Sequence, residues 1–140
     1  MAYPFKPART RKAQTHRESA EQQAVVKWAE LSSKRYPPLK WLHSSQAGVK
    51  LSITQARIAK AEGLKAGIAD LFLPYPSKEY AGLYIEMKRP KTAISAKGTL
   101  SDSQREFLDY ANSVGYKAVV CYGAQEAITE IKKYLLISYI

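Results

Sequence analysis

Two strand-like segments joined by a short connection constrain the fold more than any other feature of this sequence. Residues 68–74 read IADLFLP and residues 83–90 read LYIEMKRP. Leu83, Ile85 and Met87 alternate with less apolar residues, which is the period of a β-strand with one buried face. Because so few residues separate the segments, we predict that residues 68–74 and 81–88 pair as an antiparallel hairpin.

The other face of this predicted hairpin carries ionisable groups. In the first strand, alternation assigns Ala69, Leu71 and Leu73 to one face, so Asp70 points to the opposite face. In the second strand, Glu86 and Lys88 also point away from the apolar side. If the strands are neighbours, these three charged side chains converge on one patch. A solvated strand face that carries Glu and Lys is the ordinary alternative, and the pattern alone leaves both interpretations open.

The chemistry of such a patch is that of a divalent cation site. Two carboxylates with few competing ligands suit a hard cation such as Mg²⁺ or Mn²⁺, and the backbone carbonyl of Met87 would add a third ligand. A lysine beside the cation can orient water or neutralise a phosphoryl oxygen. The chain has 22 Lys and Arg against 12 Asp and Glu, a net charge of +10. This imbalance favours nucleic acid as the partner, ahead of an anionic membrane surface.

The rest of the chain predicts an α/β protein with the order α, short β, α, β, β, α, β, α. Residues 101–115 read as a helix with a capping box formed by Ser101 and Gln104. Residues 116–122 (YKAVVCY) read as an apolar and central strand, so the helix between two late strands predicts one parallel crossover. Residues 1–17 hold five Lys or Arg and no acid. We interpret them as a flexible basic arm before a single domain at residues 18–140.

Three segments together resemble the VRR-NUC nucleases, a branch of the PD-(D/E)XK superfamily. They are GIADLFLP, YAGLYIEMKRP and GTLSDSQREFLDYANSVGYKAVVCYG, and the resemblance spans about residues 18–125. The Fanconi-associated nuclease has such a domain at its C-terminal end, and stand-alone versions occur in phages and bacteria. The resemblance implies a PD-(D/E)XK nuclease-like fold, with a central mixed β-sheet flanked by helices, and a DNA endonuclease that requires Mg²⁺ or Mn²⁺.

The resemblance also implies roles for individual residues. Asp70 and Glu86 would be metal ligands, and Lys88 would be the catalytic lysine. Gln104 would match the glutamine that the family places near the site on a helix. The capping box explains the same residue without any role in catalysis, so both interpretations of Gln104 stay open.

The acid expected on the first helix has two candidates. Glu18 lies on the helical stripe that leads into the apolar residues and is favoured over Glu21. Either acid could instead only complement the helix dipole. The sequence departs from the family pattern at Ala69, where proline is frequent, and at Gly48 and Lys50, where an Asn-Gly turn and a basic residue are frequent.

The substrate and assembly are expected by resemblance alone. Stand-alone members resemble Holliday-junction resolvases and act as homodimers, which favours branched DNA and a homodimer here. A flap-cutting or restriction-type nuclease is the nearest alternative, and a non-catalytic basic module that binds nucleic acid is the alternative from another class. No membrane span or signal peptide is evident, so we expect an intracellular, cytoplasmic protein.

The sequence also suggests environments for four residues outside the predicted cluster. His43 either contacts phosphate or is a partly buried structural residue. Trp41 and Tyr84 are expected to pack in the protein rather than to stack on bases. Cys121, the single cysteine, excludes an internal disulfide and is expected to be a buried small hydrophobic residue.

Overall fold

The computed structural model describes residues 9–45, 50–93 and 96–139, with side chains from residue 17 to residue 136. The helices are α1 (Arg9–Ser32), a 3-10 helix (Pro37–Trp41), α2 (Ile53–Ala61), α3 (Asp102–Ser113) and α4 (Ala124–Tyr139). The strands are β1 (His43–Ser44), β2 (Leu71–Leu73), β3 (Leu83–Lys88) and β4 (Lys117–Tyr122). The predicted order of helices and strands is therefore present.

Helix α1 begins inside the segment that the sequence predicted as a flexible arm. Residues 9–17 continue the helix toward its N-terminus, so the described part of the predicted arm is helical. No proline or glycine interrupts residues 9–32, and most of these residues are good helix formers, so local propensity favours the continuation. Residues 1–8 of the predicted arm lie outside the described residues.

The four strands form one mixed sheet in the order β1-β2-β3-β4. The β1–β2 and β2–β3 pairs are antiparallel, and the β3–β4 pair is parallel, with α3 in the crossover. The predicted hairpin and the predicted parallel crossover are both confirmed. Strand β4 was expected to be central but lies at the edge of the described sheet, and β3 has a neighbour on each side.

Helices cover both faces of the sheet. One face packs against α1 and α4 in a core that includes Val25, Ile85 and Ile131, each fully buried. The other face packs against α3 through Leu108 and Ala111, which are also buried. No helix among the described residues is both long enough and apolar enough to cross a membrane.

The alternation predicted for the first strand holds within β2 but fails just before it. Leu71 and Leu73 face the α1–α4 core as expected. Ala69 was assigned to the same face, but it is buried in the α3 cluster instead. A bend at Asp70 interrupts the regular pleat, so the two-residue period does not extend past the start of β2.

The β2–β3 register determines which sheet face carries the ionisable groups. Phe72 pairs with Tyr84 across the antiparallel ladder, and Tyr84 packs in the α3 cluster. Glu86 and Lys88 follow Tyr84 at steps of two along β3, so all three belong to the α3 face. The face of the sheet that carries the charges is therefore the one that α3 covers.

Candidate active site

Asp70, Glu86 and Lys88 converge as the hairpin predicted. Asp70 Oδ2 accepts a hydrogen bond of 2.7 Å from the backbone N–H of Met87. Lys88 Nζ lies 3.5 Å from Glu86 Oε1. The β2–β3 register explains this arrangement, because one further step along the ladder places Asp70 opposite Glu86. The three charged groups therefore lie at the end of β3 and beside the first residue of β2.

The charged pair of β3 is buried rather than solvated. Glu86 is 1% exposed and Lys88 is 7% exposed. This excludes the ordinary alternative of a Glu and a Lys on a solvated strand face. Removing two charges from water costs several kcal/mol per ion, roughly, unless close partners compensate. Glu86 Oε2 is buried and has no hydrogen-bond partner among the described residues, so this compensation is incomplete.

The two carboxyl groups have altered proton affinities as a result. Burial, together with repulsion from Asp70, raises the pKa of Glu86 to about 8 against the opposing effect of the Lys88 ammonium. Burial also raises the pKa of Asp70, although the Met87 N–H stabilises the ionised form. Neighbouring carboxyls whose pKa values are raised mainly by burial mark this cluster as a candidate functional site.

Gln104 links helix α3 to this site and also caps the helix. Its backbone N–H donates to Ser101 Oγ over 3.2 Å, and its Oε1 accepts from the Ser101 N–H over 2.9 Å, which completes the predicted capping box. Its Nε2 donates to Glu86 Oε1 over 2.8 Å. The two interpretations of Gln104 are therefore compatible, because the amide oxygen serves the cap and the amide nitrogen serves the carboxylate.

The two candidate acids of helix α1 occupy different environments. Glu21 Oε2 accepts a hydrogen bond of 2.6 Å from the N–H of Ala124, the first residue of α4, and so satisfies a free donor of that helix. The Glu18 carboxylate instead lies beside Gly98 and the Lys88 side chain, where a methyl group added to Gly98 would be 3.1 Å from Glu18 Oε1. Of the two acids, Glu18 is the one whose carboxylate shares a neighbour, Gly98, with the Lys88 side chain.

Comparison with known proteins now identifies the fold. The sequence model of the VRR-NUC domain matches residues 7–125. The chain belongs to the VRR-NUC domain family. A solved structure described as a VRR_NUC domain protein is also similar, with 28% sequence identity and a TM-score of 0.65. The similarity covers 87% of this chain and 90% of that chain. No curated protein matches.

Membership in this family confirms the resemblance and the predicted fold class. It also implies a nuclease-type function in nucleic-acid processing. The match begins at residue 7, so the VRR-NUC domain includes residues 9–17 of helix α1 as well as the segment from residue 18 onward.

Two glycines of this VRR-NUC domain shape the site, and the sequence analysis did not predict a role for either. A methyl group added to Gly98 would meet Glu18 Oε1 at 3.1 Å and Lys88 Cδ at 3.3 Å. A methyl group added to Gly67 would collide with the backbone carbonyl of Ser103 in α3, and Gly67 has a φ of +89°. Gly67 therefore lets the chain that leads to Asp70 lie against α3, and Gly98 leaves room for Glu18.

The ligand set available to a cation in this domain is small. Within the described residues, no three Asp, Glu, His or Cys side chains form a group that could hold a metal ion. The donors are two carboxylates, Asp70 and Glu86, together with backbone carbonyl groups such as that of Met87. Mg²⁺ is commonly held by one or two carboxylates, with waters and substrate phosphate as the other ligands. The donor chemistry and the unpaired oxygen of Glu86 fit such a cation.

The structure confirms some of the environments expected for the four residues outside the predicted cluster and contradicts others. Cys121 is fully buried, as predicted. Tyr84 is half-buried and stacks on Phe72 at 4.3 Å between ring centroids, so packing is confirmed for Tyr84. Trp41 is 63% exposed, so the prediction that it packs in the protein is wrong. His43 is exposed rather than partly buried, and its Nδ1 donates to the Trp41 carbonyl oxygen over 2.8 Å.

The region around Gly48 and Lys50, where the sequence departs from the family pattern, is only partly described. Gly48 lies outside the described residues, and Lys50 is exposed. Helix α2 follows this region, and its N-cap is Ser52, with a capping box completed by Gln55.

Proposed function

We propose that this VRR-NUC protein is a DNA endonuclease that hydrolyses phosphodiester bonds and depends on Mg²⁺ or Mn²⁺. The observation that carries the proposal is the Glu86 carboxylate. It is 1% exposed, lies beside Asp70, and keeps one oxygen without a hydrogen-bond partner among the described residues. A buried, unsatisfied carboxylate is costly in a fold unless a positive charge compensates it. The Lys88 ammonium lies 3.5 Å from the other oxygen, and Oε2 has no hydrogen-bond partner among the described residues.

A divalent cation bound by Asp70 and Glu86 would supply the missing positive charge, activate water as a nucleophile and stabilise negative charge on the phosphoryl group. The backbone carbonyl of Met87 is proposed as a further ligand. The Met87 N–H supports this arrangement because its hydrogen bond fixes the Asp70 carboxylate at the end of β3. Hydrogen bonds of this kind, which orient the ligands, are a regular part of metal sites.

The other residues of the cluster have separate proposed roles. Lys88 is held by its ion pair with Glu86, so its ammonium can stabilise negative charge that develops on the phosphoryl oxygens. Gln104 orients Glu86 through the hydrogen bond to Oε1. Glu18 lies beside the Lys88 side chain at Gly98. We propose that Glu18 positions Lys88, and that Glu21 is structural because it caps α4.

The preferred DNA structure and the assembly remain proposals that rest on family resemblance. We propose branched DNA such as a four-way junction as the substrate, and a homodimer as the active assembly. The net charge of +10 supports binding to the concentrated phosphates of a branch point. A chain of 15.7 kDa whose described residues hold one such cluster supports the dimer, because two strands must be cut.

The test uses labelled DNA of three shapes: linear duplex, flap and four-way junction. Each is incubated with the wild-type protein in Mn²⁺, in Mg²⁺ and in excess chelator. The proposal predicts cleavage that requires the divalent cation and is fastest on the junction. Cleavage at an equal rate in chelator would refute the metal dependence, and cleavage fastest on the linear or flap DNA would refute the substrate preference.

A further inference from the structure

The exposed indole of Trp41 lies in a segment of the sequence with an unusual charge distribution. Residues 31–61 contain six Lys or Arg and no Asp or Glu. Trp41 is 63% exposed in the middle of this region, and Lys40 Nζ lies 5.3 Å from the centroid of its ring. A large exposed aromatic ring among cations is the combination with which proteins bind single-stranded nucleic acid, since bases stack on the ring and phosphates contact the cations.

The backbone of Trp41 is linked to the sheet face that carries the candidate site. The link runs through His43 and a row of aromatic rings. The His43 Nδ1 donates to the Trp41 carbonyl oxygen, and the His43 ring meets Phe72 edge-on at 5.8 Å between centroids. Phe72 in turn stacks on Tyr84 at 4.3 Å. Tyr84 precedes Glu86 by two residues on the same strand face. The backbone of Trp41 is therefore held at the β1 end of the face that carries the candidate site.

The distance along this row can be estimated from strand geometry. His43 and Tyr84 are two strands apart, or about 10 Å, and Tyr84 and Glu86 are two residues apart, or about 7 Å. His43 is therefore about 12 Å from Glu86. At about 3.4 Å per stacked nucleotide, this corresponds to roughly three to four nucleotides of one strand between His43 and the candidate site, and Trp41 precedes His43 by two residues.

We propose that Trp41 stacks on an unpaired nucleobase of the substrate, a few nucleotides from the bond that is cut. This inference rests on the proposed nuclease function and adds one requirement to its branched substrate: a base that is unpaired, or that unpairs at the branch point, near the cleavage site. One face of the indole lies under Lys40, which leaves the other face for a planar base. The six Lys or Arg and the absence of Asp and Glu in residues 31–61 favour a polyanion as the occupant.

The test measures binding by fluorescence anisotropy without divalent cation, so that no cleavage occurs, at one fixed salt concentration. The probes are a labelled thymidine oligodeoxynucleotide, a uridine oligoribonucleotide and a blunt duplex. Trp41→Ala should weaken binding of a single strand about tenfold, which is in the range found for base–aromatic stacking, and leave duplex binding within about twofold. If Trp41→Ala loses affinity for either single strand, the proposal is supported, and the strand affected identifies whether DNA or RNA is recognised.

Tyr110 provides a matched control, because it is an aromatic residue of α3 with the same exposed fraction, 63%. Tyr110→Ala should leave all three affinities unchanged. Trp41→Phe should retain most of the single-strand affinity, since it keeps an aromatic face. The wild-type indole fluorescence should be quenched by the thymidine strand, and this quenching should disappear in Trp41→Phe, where Trp28 remains as the emitter. This readout does not depend on the stability of the alanine variant.

The proposal is overturned if Trp41→Ala binds single strands as the wild type does, if it loses single-strand and duplex affinity equally, or if it changes the sedimentation of the protein instead. The cleavage assay tests the proposed nuclease function separately from this binding assay. Binding that depends on Trp41 without cleavage would refute the nuclease function and leave the stacking site standing. Cleavage that requires a cation, together with binding that does not depend on Trp41, would support the nuclease function and refute the stacking site.

Discussion

Replacing Glu86 with glutamine should stabilise the protein in the absence of a divalent cation, and increasingly so as the pH rises. The folded state keeps a proton on Glu86 up to a pKa of about 8, whereas the unfolded chain loses it near 4.5. Between these values the fold binds a proton that the unfolded chain has released, so the free energy of unfolding falls as the pH rises. Each unit of pKa difference corresponds to about 1.4 kcal/mol, which gives a loss on the order of 5 kcal/mol by pH 8.

Glutamine removes this loss because it cannot ionise. It retains the shape of the side chain and an oxygen that can accept from Gln104, whose Nε2 lies 2.8 Å from Glu86 Oε1. The free energies of unfolding of the two proteins should therefore be similar near pH 4.5 and should differ by a few kcal/mol at pH 8.5. In a domain of this size, that difference corresponds to a shift in Tm of roughly 10 °C.

The assay is thermal unfolding of the wild type and Glu86→Gln at pH 5, 7 and 8.5, in chelator and in Mn²⁺. Mn²⁺ should raise the Tm of the wild type most at pH 8.5 and should have little effect on the variant. Glu130→Gln is the control, because Glu130 pairs with Lys117 at 3.3 Å with both side chains about one-quarter exposed, and such pairs contribute about 0–1 kcal/mol. If Glu86→Gln is less stable than the wild type at pH 8.5 in chelator, the reasoning from the buried charge is wrong.

Four further predictions concern the site and the assembly. Lys88→Arg should slow single-turnover cleavage roughly 10²–10³-fold, because a planar guanidinium cannot replace a compact ammonium, whereas Lys91→Arg should change little; equal rates for both would refute the catalytic role. Gly98→Ala should slow cleavage at unchanged DNA affinity, because its methyl group would crowd the first-helix carboxylate at 3.1 Å. Gln104→Ala should slow cleavage, whereas Gln55→Ala, in the matching capping box of α2, should not. A similar decrease in cleavage rate in both variants would show that Gln104 acts only as a helix cap. Sedimentation should give a mass twice that of the 15.7 kDa chain, and a monomer that cuts both strands in one binding event would contradict the dimer.

Local patterns predicted the part of the site that depends on one hairpin and one helix start. Alternation along residues 83–88 identified the strand, and the short connection identified its antiparallel partner. These two facts are enough to bring Asp70 next to Glu86. The capping box at Ser101 predicted the start of α3, and the hydrogen bond from Gln104 to Glu86 follows from where that helix start lies in the fold.

Features that depend on tertiary contacts were not predictable in the same way. The choice between Glu18 and Glu21 depends on which turn of α1 meets α4, and the Ala124 N–H engages Glu21 from a position 103 residues away. The role of Gly98 depends on contact between a loop and helix α1. The exposure of Trp41 was missed because a tryptophan is usually packed, and its position in an acid-free segment was the available signal.

The most direct test of the central claim compares single-turnover cleavage and DNA binding by the wild type and Glu86→Gln. Enzyme is in excess over a labelled four-way junction in Mn²⁺, and binding is measured in parallel without divalent cation, so that weakened binding is not mistaken for weakened chemistry. Asp70→Asn should behave in the same way as Glu86→Gln. The account predicts that both variants bind the junction as tightly as the wild type and cleave it more than about 10²-fold more slowly. Cleavage by Glu86→Gln at the wild-type rate would contradict the assignment of this buried carboxylate to a catalytic metal site.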